Sequence, residues 1–243
     1  MSFDRIKDSL GKVGDKLLNK AADAIDSVGE VIDGDKPRKK NKMNVDLSKV
    51  TPVENELTVN LTKGENVKLD AGLAEIVIGL EWDPQEGSGD FDADASVVML
   101  DKDGKALDFI YFQQLTSKDG SIVHTGDNLT GEDTDEADDE SIIIDLTKVP
   151  EACTRIVFLA EIFQANQRGQ SFGQVSKCGV RVYDGAGTNQ VFAKHDLTED
   201  HAGAVAINVG EVYKHNDSWK FKAIGTDNKT GIKEFLKDYG INS

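Results

Sequence analysis

The spacing of apolar positions changes once along the chain, and the change divides it into two parts. Over residues 1–33, Phe3, Ile6, Leu10, Val13, Leu17, Ala21, Ala24, Val28 and Val31 recur at three- and four-residue steps, with charges on the other face. That period predicts one amphipathic helix. Gly11, Gly14 and Gly29 weaken it as an isolated object, so its stripe needs a covering surface. Residues 34–43 follow as a polar, basic linker around Pro37, Arg38, Lys39 and Lys40.

From residue 44 the period falls to two. Alternating or apolar runs at 57–61, 74–80, 95–100, 109–112, 142–146, 155–162, 178–183, 191–195, 204–212 and 219–223 read as strands, with Gly, Asp and Asn between them. Many short strands with regular turn signals predict a mainly β fold, a β-sandwich of two sheets. Asp101-Lys102-Asp103-Gly104 reads as a hairpin turn. At 231–239, Ile232, Phe235, Leu236 and Tyr239 return to helical spacing and predict a short C-terminal helix packed on the sandwich. The expected organisation is a helix at 1–33, a linker at 34–43 and a β-sandwich domain at 44–243.

Charge sharpens this division. The formal net charge is −16. Residues 1–42 hold ten Lys/Arg and eight Asp/Glu, a net of +2; the rest holds 18 and 36, a net of −18. So acidic a body repels phosphate, which argues against nucleic acid as a partner. No apolar run approaches the ~20 residues that span a bilayer. The N-terminus lacks the uninterrupted apolar stretch of a signal peptide. The expected location is cytoplasmic, with peripheral membrane contact through the N-terminal helix as an option that the helix's own acidity weakens. Cys153 and Cys178 sit in apolar contexts and form no metal or redox motif, so they read as buried thiols in a reducing compartment.

The acidic residues are concentrated. Between Asp127 and Glu140, eight of fourteen residues are carboxylates and none is Lys or Arg. A second cluster runs from Asp83 through Asp90, Asp92 and Asp94. Asp92 and Asp94 alternate, so both face one side of their strand while Phe91, Ala93 and Ala95 take the other. Carboxylates this dense repel one another unless solvated or bound to a cation, and hard divalent cations, calcium above all, take oxygen ligands of this kind. The two loops are expected to converge at one end of the sandwich. Neither has the spacing of an EF-hand. The plain alternative is a pair of solvated acidic turns.

Several segments together resemble the TerD family of tellurium-resistance and stress-response proteins. They are Gly79-Leu80-Glu81-Trp82-Asp83, Asp90-Phe91-Asp92-Ala93-Asp94-Ala95-Ser96, Ser121–Glu132, Asp138-Asp139-Glu140, Phe172-Gly173-Gln174-Val175, Tyr213-Lys214-His215 and Trp219-Lys220-Phe221-Lys222-Ala223. The resemblance runs from about residue 56 to the C-terminus. It implies a bacterial stress-response β-sandwich that binds two Ca2+ ions through acidic loops. Carried over by motif, the implied ligands are Asp83, Asp92, Asp94, Asp127, Asn128, Glu132, Asp138, Asp139 and Glu140, with backbone carbonyls at Thr130 and Gly131. The acidic loop departs from the family pattern by about two extra residues and fewer glycines, and residues 1–43 lie outside the usual domain.

Catalytic signatures are missing from the sequence: there is no P-loop, no GxSxG and no HExxH. His124, His195, His201 and His215 are scattered, and the expectation is a non-enzymatic protein with histidines in structural roles. Two functional readings follow. One is a calcium-binding module that tunes contacts with other proteins. The other is a subunit of a larger or membrane-associated assembly, self-associating or docked through residues 3–31.

Overall fold

The computed structural model describes residues 51–70, 72–85, 91–126, 138–198, 201–216 and 218–241. The expected helix at 1–33 and linker at 34–43 lie outside these residues, as do Asp127, Asn128 and Glu132.

Among the described residues, twelve strands form two six-stranded sheets. They are β1 (Val59–Asn60), β2 (Asn66–Lys68), β3 (Glu75–Pro84), β4 (Ala93–Leu100), β5 (Ala106–Ile110), β6 (Ile122–His124), β7 (Glu140–Asp145), β8 (Arg155–Ile162), β9 (Val175–Asp184), β10 (Val191–Asp196), β11 (Ala206–His215) and β12 (Ser218–Asn228). The first sheet has the order β1-β10-β9-β3-β7-β6 and the second β2-β12-β11-β8-β4-β5. All pairs are antiparallel except β1 with β10. In each sheet the two edge strands are the short ones, of 2, 3, 3 and 5 residues; every inner strand has 6 or more.

The period-two pattern explains which faces meet. Ile76, Ile78 and Leu80 of β3, Ile142 and Ile144 of β7, and Val180 and Val182 of β9 enter the main core from the first sheet. Ala95, Val97 and Met99 of β4 and Ile156, Phe158 and Ala160 of β8 enter it from the second. Burying each large aliphatic side chain stabilises the fold by about 1.5–3 kcal/mol. The second sheet is covered on its far face too. There Val98, Leu100, Val157 and Leu159 pack under Ile232, Phe235 and Leu236, the last two on helix α2 (Lys233–Asp238). That is why β4 and β8 read as nearly continuous apolar runs. A one-turn helix α1 (Ala165–Arg168) and a 3-10 turn (Phe172–Gln174) link β8 to β9.

Each of the ten expected strands overlaps an observed one, and α2 falls inside the expected C-terminal helix. The segment 57–61 contributes only two strand residues, and Leu57 is 79% exposed. Two strands were not expected. β2 and β6 have three residues each, too few to display an alternation. The turn at 101–104 is a β4–β5 hairpin: the Asp103 and Lys105 N–H groups donate to Asp101 Oδ1, and Gly104 takes φ +78°. Both cysteines are buried and unbridged. Burial pushes the Cys153 thiol up to about 11 and Cys178 higher still, so neither is a ready nucleophile.

Candidate metal centre

Four strand ends meet at one end of the sandwich: the end of β3, the start of β4, the end of β6 and the start of β7. The acidic segments of the sequence leave from these ends. Trp82, on β3 and 1% exposed, ties two of them together. Its backbone N–H donates to Asp139 Oδ2 at 2.9 Å, and its indole N–H donates to the Phe91 carbonyl at 3.2 Å. The Asp139 N–H returns to the Leu80 carbonyl at 3.0 Å. One aromatic residue therefore holds the foot of the 138–140 segment and the foot of the 91–94 segment.

A second tie crosses between the sheets. β5 pairs with β4 only as far as Val97. Beyond it, side chains from the first sheet take over the edge of β4. The Ala95 N–H donates to Glu140 Oε2 at 2.7 Å, and the Ala95 carbonyl lies 3.0 Å from His124 Nε2. The Gly126 N–H donates to His124 Nδ1 at 3.1 Å. Because Nδ1 accepts, the ring proton sits on Nε2 and points at Ala95. Glu140 and His124 are both 0% exposed.

The third feature is Asp138. Its carboxylate lies on the outer face of the first sheet, directly over Gly79 of β3. A Cβ on Gly79 would sit 1.8 Å from Asp138 Oδ2, so only glycine leaves room. Arg181 Nε donates to Oδ1 at 2.7 Å and Arg181 Nη2 lies 2.6 Å from the same oxygen; the Tyr183 hydroxyl donates to Oδ2 at 2.8 Å. Arg181 also reaches Glu81 at 3.1 Å, which Lys177 meets at 3.0 Å. Burial pushes the Asp138 carboxyl up to about 6; Arg181 and Tyr183 pull the other way, so it is ionised at neutral pH.

The described candidates, Asp83, Asp92, Asp94, Asp138, Asp139 and Glu140, are thus gathered at one end, but their side chains point in different directions. Asp94 lies on the far face of the second sheet, opposite Glu161 in register and beside Phe109 and Tyr111. Asp92, by the same alternation, shares that side and is buried; its carbonyl accepts from the Phe163 N–H. Glu140 points between the sheets, and Asp138 points outside the first sheet. Asp139 is bound to Trp82. Asp83 is exposed at the end of β3, and its carbonyl accepts from Ser176 Oγ. Among the described residues, no three His, Cys, Asp or Glu side chains form a group that could hold a metal ion. Sequence reasoning missed Arg181, Tyr183, Gly79 and His124 as partners of these acids. Its available signals were the lone glycine inside an apolar strand and the Arg181/Tyr183 alternation, which puts both on one face.

A family model for the TerD domain matches residues 57–239. The chain belongs to the TerD domain family. Among TerD relatives, it is 42% identical over 193 residues to general stress protein 16U of Bacillus subtilis, covering 76% of this chain and 98% of that one. It is 42% identical over 194 residues to tellurium resistance protein TerD of Serratia marcescens, covering 77% and 100%. A solved homologue of the telluride resistance protein TerD from Streptomyces coelicolor A3(2) superposes with a TM-score of 0.58 at 23% identity, over 71% of this chain and 100% of that one. That likeness speaks to the fold alone. The TerD match begins near the first described strand and takes in both acidic segments. No helix among the described residues is long and apolar enough to cross a membrane.

Proposed function

We propose that this TerD-domain protein is a non-enzymatic, calcium-binding stress-response module, acting in the cytoplasm, whose acidic loops tune its contacts with other proteins. The observation that carries the reading is the double tie made by Trp82, which holds the feet of both acidic segments at one end of the sandwich. Asp83, Asp92, Asp94, Asp127, Asn128, Glu132, Asp139 and Glu140 are the proposed donors for two Ca2+ ions. Asp138 takes a different part. With Arg181 on one oxygen and Tyr183 on the other, it anchors the loop. Calcium would neutralise part of the acidic charge at this end of the sandwich. Hard oxygen donors on loops suit calcium, while magnesium demands a tighter octahedron.

Isothermal titration of calcium, with magnesium as control, tests this on the wild type and on Asp127→Asn combined with Asp139→Asn. Asparagine keeps a carbonyl acceptor for the Trp82 N–H, so the fold should stand. Saturable calcium binding, weakened at least tenfold in the double variant, is the expected result. Calcium at about 100 times Kd should also stabilise the wild type by about 2.7 kcal/mol. No heat and no thermal shift at millimolar calcium would end the reading.

One observation favours the assembly reading as a companion. Val53, Leu57 and Val59 are the exposed large hydrophobics among the described residues, at 53%, 79% and 42%. They lie beyond the 34–43 linker from the amphipathic stripe that the sequence predicts over residues 3–31. If that stripe drives self-association, a chain starting at Met43 will elute from size exclusion as a smaller species than the full chain. Equal oligomeric states would remove the main support for assembly through the N-terminus.

A further inference from the structure

Gly79 has a counterpart on the outer face of the first sheet. Gly179 of β9 stands between Glu81 of β3 and Asp196 of β10 in register. No side chain fills the place of its missing Cβ: the nearest atoms to one would be the His195 carbonyl oxygen at 3.3 Å and Glu81 Oε1 at 3.6 Å. Gly179 lines a cleft of about 520 Å3, a volume within the range of small-molecule sites. By the pleat, Lys194 and Asp196 of β10 share the face of Gly179 and Arg181.

Five charged side chains line the cleft: Lys63, Lys177, Lys194, Glu81 and Asp196. Three of them are engaged. Glu81 meets both Lys177 and Arg181, and Lys194 meets Glu54. The other two are of opposite sign, and among the described residues neither forms an ion pair. Lys63 is exposed in the β1–β2 connection. Asp196 is exposed too and spends only Oδ1, on the Thr198 N–H at 2.8 Å. The cleft thus offers one cation and one anion, so a ligand of a single charge would leave one of them unanswered. No Phe, Tyr or Trp lines it among the described residues. Quaternary ammonium groups are recognised by aromatic faces, whereas a primary ammonium donates hydrogen bonds to a carboxylate.

We propose that this cleft binds a small zwitterion carrying a primary ammonium and a carboxylate, the chemistry shared by free amino acids and short peptides. The ammonium meets Asp196, the carboxylate meets Lys63, and the chain between them lies across Gly179. The site is independent of the calcium reading, since none of the proposed calcium donors takes part.

The test uses the full chain with millimolar calcium present throughout. Each standard L-amino acid, and alanyl-alanine and alanyl-glutamine as dipeptides, is screened at millimolar concentration by thermal shift, and any hit is titrated calorimetrically. One molecule per chain is expected; a hit among the dipeptides alone identifies the peptide source, and one among the amino acids the free source. The hit's analogues lacking either the ammonium or the carboxylate should bind at least about tenfold more weakly. Lys63→Ala and Asp196→Asn should each cost about tenfold or more. Asparagine keeps an oxygen for the Thr198 N–H, and circular dichroism and the melting point verify that both variants fold. Lys68→Ala, an exposed lysine on β2 of the other sheet, should change nothing. No shift or heat with any probe overturns the proposal. So does binding unchanged in folded Lys63→Ala and Asp196→Asn, or an ammonium-free acid that binds as tightly as its parent.

Discussion

Gly79→Ala is expected to lower stability by about 3–5 kcal/mol, far more than a glycine-to-alanine change in a strand ordinarily costs. A strand glycine is usually a weakness, because it adds backbone entropy to the unfolded chain. Here the missing side chain is what admits the Asp138 carboxylate, and a Cβ would overlap it at 1.8–1.9 Å. The carboxylate cannot swing aside cheaply, because Arg181 and Tyr183 hold both oxygens. Evicting it strands a guanidinium whose side chain is only 8% exposed, and breaking a buried pair by losing one partner costs about 3–5 kcal/mol. Glu81 keeps part of the Arg181 charge compensated, which places the cost toward the lower end. Urea unfolding measures it. The decisive comparison is the same substitution in an Asp138→Ala background. With no carboxylate to displace, Gly79→Ala should then cost less than about 1 kcal/mol. Additive costs in the double variant would mean that the glycine is needed for another reason.

His124→Ala is the second large effect, again about 3–5 kcal/mol. The imidazole serves two backbone groups in a site with no solvent access: it accepts from the Gly126 N–H and donates to the Ala95 carbonyl. Each buried group left without its partner costs about 1–3 kcal/mol, and the vacated ring volume adds to this. Glu140→Gln provides the contrast. Glutamine retains a carbonyl oxygen for the Ala95 N–H, so stability should move by no more than about 1 kcal/mol. If the loops bind calcium, the same Glu140→Gln change should weaken that binding while barely shifting the unfolding midpoint. A His124→Ala protein as stable as the wild type would show that the edge of β4 needs no closure from the first sheet.

Much of this architecture was legible in the sequence because it is written locally. The alternation of Ile76, Ile78 and Leu80 names its own core face, and so do Ala93, Ala95 and Val97. The Asp92/Asp94 alternation put those two carboxylates on one side, which is where β4 places Asp94. Asp101–Gly104 carried its turn chemistry on its face. What escaped was non-local. Nothing near Asp138 says that Arg181, more than forty positions later, will be its partner. Nothing near Glu140 says that its carboxylate will cap the backbone of Ala95 rather than face outward. An Asp-Asp-Glu run looks like a uniform acidic patch, yet Asp138, which precedes β7 and is not bound by its alternation, lies on the outer face of the first sheet while Glu140 points between the sheets. The acid-rich composition identified the end of the sandwich that matters and could not distinguish anchors from open donors. β2 and β6 escaped for a simpler reason, since three residues do not make a pattern.

The lengths of the edge strands bear on how this protein behaves when crowded. A sheet edge offers unpaired N–H and C=O groups on which another chain can grow. Among the described residues the four edges, β1, β2, β5 and β6, run for only two to five residues, while the long apolar strands β3, β4, β8 and β9 are paired on both sides. A neighbouring molecule therefore finds little template for ladder extension, and the segments with the greatest tendency toward amyloid are sequestered as long as the fold holds. Colloidal stability in a stressed cell, where many proteins unfold at once, would follow from the placing of the short strands as much as from the surplus of negative charge.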